Sequence, residues 1–158
     1  IMRKTILIVD DDGEMAGILA KYLSGHDYPA MTAYNGAEAL AVYLARWHPE
    51  RPALVIGVMR DKDVEGMIDK LLPLVSSVIA TAAATPRAMP ADELAARMRA
   101  RQSASTRTGN GTVDVHVDTD PLHAIEQALA RHDAVCVAGS IFLAGEVRDA
   151  LKRRAILR

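Results

Sequence analysis

The stretch ALVIGVMRDKDVEG, residues 53–66, decides the fold. It opens on an uncharged apolar run, Ala53-Leu54-Val55-Ile56, with no polar alternation. That is how a strand covered on both faces of a parallel sheet reads. Gly57 follows and lets the backbone turn closely. The cluster Arg60-Asp61-Lys62-Asp63 is a polar turn, after which Val64, Met67, Ile68, Leu71 and Leu72 recur at helical spacing. The stretch therefore reads as a central strand, a turn at its carboxyl end, and a helix. In open α/β sheets ligands gather at that end.

Working outward, Thr5–Val9 (TILIV) reads as a buried strand ended by Asp10-Asp11-Asp12-Gly13. Asp12 can cap a helix over about Glu14–Ser24, with Met15, Ile18, Leu19, Tyr22 and Leu23 on one face. Tyr28–Ala33 reads as a second strand, and Pro29 favours an edge position for it. Tyr34-Asn35-Gly36 leads into a helix over about Ala37–Trp47. Downstream, Ser77–Thr81, Val113–Val117 and Ala134–Ala138 read as strands. Helices are expected over about Ala91–Arg101, Leu122–Arg131 and Phe142–Arg153, and Asp120-Pro121 suits the start of the second of these. Gln102–Gly111 is small and polar and reads as a flexible loop.

Six strands alternating with six helices predict an α/β fold: a three-layer α/β/α sandwich on a mostly parallel six-stranded sheet, flavodoxin-like or Rossmann-like. The first strand is expected between the second and the central one, with Ile6, Leu7, Ile8 and Val9 all buried. Ile18 and Leu19 should pack on it, as should the helix face that includes Leu40 and Leu44. The 158 residues suit one domain, 1–158, with one core.

The formal net charge of −1 gives no electrostatic reason to expect nucleic acid or an anionic membrane as partner. No apolar run approaches the roughly 20 residues that span a bilayer, and no signal peptide is read at the start. The lone Cys136 lies in an apolar run and fits a reducing, cytoplasmic setting. Ile1 precedes Met2, so Met2 is the expected natural start. His26, His48, His116, His123 and His132 show no metal-ligand spacing with one another or with Cys136. His116 sits in an alternating strand and should face solvent or a helix.

Two resemblances meet in the chain. ILIVDDD, an amphipathic helix and a strand ending in TAYNGAEAL make residues from Lys4 to about Leu40 similar to the start of a bacterial response-regulator receiver domain. The resemblance implies that Asp10 and Asp11 correspond to the acidic pair that holds Mg²⁺. Adjacent carboxylates at a strand end suit a hard cation that keeps several waters; read from the residues alone, the same acids cap a helix. From about Ala39 onward, ALVIGVMRDKDVEGM, SVIATAAATPRAMPADELA and VCVAGSIFLAGEVRDAL resemble the C-terminal domain of folylpolyglutamate synthase/dihydrofolate synthase, a relative of the Mur ligases. In that family the domain helps close an ATP and folate site whose P-loop lies on a separate domain. The resemblance implies ligand-site positions at Asp61, Lys62, Asp63 and Ser140. Where that family carries an Asp-x-Ala-His-Asn-Pro type motif, this chain has TAYNG, without the His and Asp.

The two resemblances together imply an engineered or recombined chimera, with a receiver-like β-α-β fragment over 1–36 and a ligase-like fragment over 37–158. Neither chemistry reads as complete. Val58 occupies the position of the receiver's phospho-accepting Asp, and VDVHVDTD lacks the Lys a receiver needs after its fifth strand. No GxxxxGKS/T loop occurs. The expectation is thus a domain that is not an enzyme by itself, takes no cofactor and has no dedicated partner, with Asp10, Asp11, Asp61, Lys62, Asp63 and Ser140 as vestiges and only weak Mg²⁺ or anion binding. The alternatives are a degenerate receiver-type signalling module and an accessory C-terminal domain of an ATP-dependent folate–glutamate ligase.

Overall fold

The structure, a computed structural model, describes residues 6–9, 17–18, 21, 25, 30–33, 36–105, 112–139 and 143, with backbone alone at 6–9, 30–33 and 105. The chain divides into two compact units, Ile1–Pro49 and Glu50–Arg158.

In the first unit, β1 (Ile6–Val9) pairs in parallel with β2 (Ala30–Ala33), Ile6 opposite Ala30 and Val9 opposite Ala33. The strand α1 packs against is β2; this helix, Gly36–Trp47, has Leu44 buried and Leu40 half-buried. Glu38 in its first turn and Arg46 in its last complement the helix dipole. The burial of Ile6–Val9 and most of the helix expected over Glu14–Ser24 lie outside the described side chains. Ile18, expected to pack, is 58% exposed. The apolar positions of that helix span an arc of about 140°, wider than the stripe a helix needs to bury, and Ile18 lies at its rim.

The second unit is built from β3 (Ala53–Gly57), α2 (Val64–Leu71), β4 (Ser77–Ala80), α3 (Ala91–Ser105), β5 (Asp114–Val117), α4 (Pro121–Arg131) and β6 (Val135–Gly139). Its four strands are all parallel, in the order β5-β4-β3-β6. Every residue of β3 is buried, as its uncharged sequence requires. Ala53 and Val55 join Ile79, Ala124, Ile125, Ala128 and Leu143 in one core. Leu54 and Ile56 point to the opposite face, where Val78, Leu94, Ala95 and Met98 are also buried. Helix α4 packs on β3, β4 and β6, and α3 packs on β4, β5 and α2. Helices thus cover both faces of a parallel four-stranded sheet.

Both edges of β3 are taken, by β4 and β6. The first strand therefore does not lie against it, contrary to expectation, and the described strands form a two-stranded and a four-stranded sheet, not one sheet of six. The burial of β3 on both faces was readable from its composition; the identity of its neighbours was not, because apolar strands offer equivalent backbone ladders.

Two boundaries have local causes. Pro73 cannot donate the N–H that would continue α2, so the chain tightens into a 3₁₀ turn at Leu72–Leu74. Helix α3 runs beyond the expected Arg101, through residues read as loop. There Gln102 receives the Val113 N–H on Oε1 at 2.6 Å and donates Nε2 to the Val113 carbonyl at 3.0 Å, while Arg99 Nη2 donates to the Val115 carbonyl at 2.6 Å. These tertiary bonds outweigh the weak helix propensity of the segment.

Candidate functional site

The carboxyl ends of β3, β4 and β6 converge on the turn that follows β3. Gly57 ends β3 against the next strand: a Cβ there would lie 3.0 Å from the Thr81 carbonyl oxygen and 3.3 Å from a methyl of Leu143. Its counterpart in register, Gly139, has φ +127°, and a Cβ on it would come within 1.8 Å of the Gly57 carbonyl oxygen. Only glycine fits such a conformation and such a gap. The two strands therefore close on each other at their carboxyl ends.

Beyond Gly57 the chain does not turn at once. Val58 is buried and its carbonyl accepts from Met89 N at 2.9 Å, Met59 bridges Ala88, and Arg60 N donates to the Arg87 carbonyl at 3.0 Å. The ATPRAMP segment is thus laid antiparallel along GVMR. The exposed pair Arg87–Asp61, at 3.2 Å, ties the same segments by side chains. Asp63 caps α2, its Oδ1 accepting from Gly66 N at 3.0 Å. Of the DKD turn, then, Asp61 and Asp63 are occupied in fixing the loop. Lys62 is exposed and forms no ion pair among the described residues.

A chain of ion pairs runs from the turn along the α2–α3 face. Arg60 reaches Glu93 at 3.3 Å; Arg97 bridges Glu93 at 3.0 Å and Glu65 at 2.9 Å; Arg101 donates Nε to Asp69 Oδ1 at 2.6 Å. The Arg101 hydrogen bond holds the Asp69 carboxyl below its ordinary pKa, partial burial opposing it. These pairs are exposed, so each contributes at most about 1 kcal/mol; their role is to fix α3 against α2.

At the carboxyl end of β5, Asp118 Oδ2 meets His123 Nδ1 at 2.6 Å and accepts from Gln127 Nε2 at 2.9 Å, while Asp120 caps α4 through Leu122 N at 2.9 Å. His123 is thereby part of a helix cap. Thr81, at the end of β4, is fully buried, and its Oγ1 has no partner among the described residues. Burial without a hydrogen bond costs such a group on the order of 1–3 kcal/mol. Sequence reasoning missed Thr81 because SVIAT reads as an ordinary strand end. Among the described residues no three His, Cys, Asp or Glu side chains gather as a metal set. Asp10, Asp11 and Ser140 lie outside the described residues.

Residues 30–141, from β2 through β6, match the family described as Mur ligase, glutamate ligase domain. The chain belongs to that family. The match begins at residue 30, ahead of the 37–158 fragment expected to carry the likeness. Among solved structures, Thermotoga maritima folylpolyglutamate synthase is 32% identical over 73% of this chain and 25% of its own, with a TM-score of 0.59. Mycobacterium tuberculosis folylpolyglutamate synthase complexed with ADP is 27% identical over 72% of this chain and 27% of its own, at 0.61. E. coli FolC in complex with DHPP and ADP is 21% identical over 75% of this chain and 26% of its own, at 0.62, a likeness of fold. The chain thus spans about a quarter of these proteins' length. No curated protein matches it. Among the described residues no helix is long and apolar enough to cross a membrane.

In Mur ligase terms, the GVMRDKD turn, the ATPRAMP segment and Gly139 lie within the matched residues. Sequence reasoning found the turn because it is contiguous. It missed Arg87 as the partner of Asp61, since nothing in the spacing of residues 61 and 87 announces an antiparallel bridge.

Proposed function

We propose that the chain acts as the accessory C-terminal domain of an ATP-dependent folate–glutamate ligase, with an incomplete catalytic site of its own. The observation that supports this best is the GVMRDKD turn, pinned by the Arg87–Asp61 pair and the Asp63 cap at the carboxyl end of a fully buried strand. A turn held in this way fixes the backbone that carries the exposed, positively charged Lys62. Such a charge offsets the negative charge of a phosphate or carboxylate that a second domain holds nearby, as a compact ammonium on a flexible stem does. The second domain supplies the nucleotide pocket in this reading, in keeping with the lack of a P-loop in the sequence. TAYNG in place of the His-bearing motif implies weaker assistance than a complete family member gives.

The test is complementation. The whole chain is supplied to a folylpolyglutamate synthase shortened before its C-terminal domain, and ATP-dependent glutamate addition is measured. Activity should rise above that of the shortened synthase alone, and Lys62→Ala should lower it at least about tenfold, as loss of a charge-stabilising donor does. No rise, with the chain folded by circular dichroism, would defeat the proposal. So would micromolar Mg²⁺-ATP binding by the chain alone.

A second reading, a receiver-like start joined to this ligase-type domain, is supported by ILIVDDD, which lies ahead of the family match. It requires that the start be a phosphoryl-transfer relic. With buried Val58 at the acceptor position, acetyl phosphate and Mg²⁺ should add no base-labile phosphate by intact mass; a stoichiometric adduct would revive a signalling role.

A further inference from the structure

Helix α4 packs on β3, β4 and β6, and the outer strand β5 is left open beside it. The gap is a groove of about 340 Å³. Its strand wall is formed by Ser77, Asp114 and His116, and its helix wall by Gln127, Arg131 and His132, over an apolar floor that includes Ile79. That volume lies within the roughly 300–1,000 Å³ of small-molecule sites.

The walls hold charged groups without a side-chain partner among the described residues, Arg131 being also the basic residue in the last turn of α4. Arg60, Arg87, Arg97, Arg99 and Arg101 each bond a carboxylate or a backbone carbonyl. Arg131 bonds none among the described residues, nor do Asp114 and His116 on the other wall. Opposite charges face one groove without joining in an ion pair. His132 is oriented by the contact of its Nε2 with Ser77 Oγ at 3.1 Å, and Gln127 Nε2 is held by Asp118. Among the described residues the histidines and acids here do not form a metal set.

We infer that this groove binds a small amphoteric molecule, with an acid group on Arg131 and an amine on Asp114. A guanidinium takes a carboxylate or phosphate through two parallel bonds. Asp114 accepts from an ammonium, the ring nitrogens of His116 and His132 add polar contacts, and Ile79 receives a short apolar stem. The groove flanks the amino half of β4, away from the GVMRDKD turn, so the inference does not rest on the ligase reading and fails or stands separately from it.

The whole chain is titrated with L-serine, L-aspartate and L-lysine, and separately with acetate and inorganic phosphate, while backbone amide resonances are followed by NMR. At least one amino acid should give saturable shifts at Ser77, Gln127 and His132, with a Kd below about 1 mM. Arg131→Gln and Asp114→Asn should each weaken it about tenfold, with Arg101→Gln, whose guanidinium serves Asp69, leaving it unchanged. No saturable shift with any of the three amino acids overturns the inference. Shifts that survive both groove substitutions overturn it, as does acetate or phosphate binding as tightly as the amino acid, since only one end would then be read.

Discussion

Gly139→Ala is the sharpest test of how β3 and β6 close at their carboxyl ends. The added Cβ would sit 1.8 Å from the Gly57 carbonyl oxygen, whereas real Cβ atoms essentially never approach another heavy atom within 3.0 Å. The strands would have to part by more than an ångström at a register pair that is now fixed. The backbone at φ +127° is itself a conformation that side chains rarely adopt, and holding a non-glycine residue there costs about 1–3 kcal/mol. Overpacking adds about 1–3 kcal/mol. The sum, roughly 2–6 kcal/mol, is a large part of the 5–15 kcal/mol by which domains are usually stable, roughly. Gly57→Ala is the internal comparison. Its Cβ would stand 3.0 Å from the Thr81 carbonyl oxygen, a contact that asks the neighbouring backbone to give by only a few tenths of an ångström, so it should cost about 1 kcal/mol, the low end of overpacking. Urea unfolding followed by far-ultraviolet circular dichroism measures both. With a slope of about 2 kcal/mol per molar, a 3 kcal/mol loss moves the midpoint by about 1.5 M. A Gly139→Ala protein within about 0.5 kcal/mol of the parent, the range of surface substitutions, would refute the close approach and the left-handed turn together.

Ile68, 1% exposed on α2, should cost about 2–5 kcal/mol when cut to Ala; a loss below about 1 kcal/mol by the same unfolding assay would mean that α2 does not pack on its neighbours. Burial pushes the Cys136 thiol up to about 11, so at about pH 8 it should react with a disulfide reagent roughly 200-fold more slowly than a free thiol. Equal rates in the folded and urea-unfolded protein would refute this. Asp69 has its pKa lowered from 3.8 by Arg101. A depressed carboxyl stabilises the fold above its unfolded value and loses that contribution as pH falls through the folded value. The stability gap between the parent and Asp69→Asn should therefore shrink as pH drops from neutrality through 3.8; a constant or widening gap would contradict the pairing.

What could be read from the sequence is what is local. The uncharged Ala53–Ile56 run announced a strand covered on both faces, and Asp120-Pro121 marked where α4 begins; that Asp63 caps α2 was not read from its place in a charged turn. The parallel sheet followed from strands alternating with helices. Its order did not, because β6 reaches β3 from far along the chain. The same limit applies to the site. The DKD turn was visible as a charged run after an apolar one, but the arginine that holds it, Arg87, is brought in by an antiparallel bridge. The groove was invisible for a stronger reason: Ser77, His116 and Arg131 belong to separate elements and share no periodicity. Helix α3 outran its expected end because Gln102 bonds to a backbone eleven residues away, a contact that no propensity encodes.

The bonds that Gln102 and Arg99 make to Val113 and Val115 bear on how the chain is made. Asp118 N donates to the Ala80 carbonyl, so even-numbered residues of this outermost strand face β4 and odd-numbered ones face outward. An open strand margin of that kind is a template on which another polypeptide can pair. Here the amide of Gln102 stands in for a neighbouring strand at Val113, and Arg99 occupies the next outward carbonyl. Both side chains come from the helix that precedes β5, so on the ribosome the cover is synthesised before the margin it protects. The interval in which a growing chain could be captured by its neighbours is thereby confined to the time β5 takes to reach a helix already waiting for it.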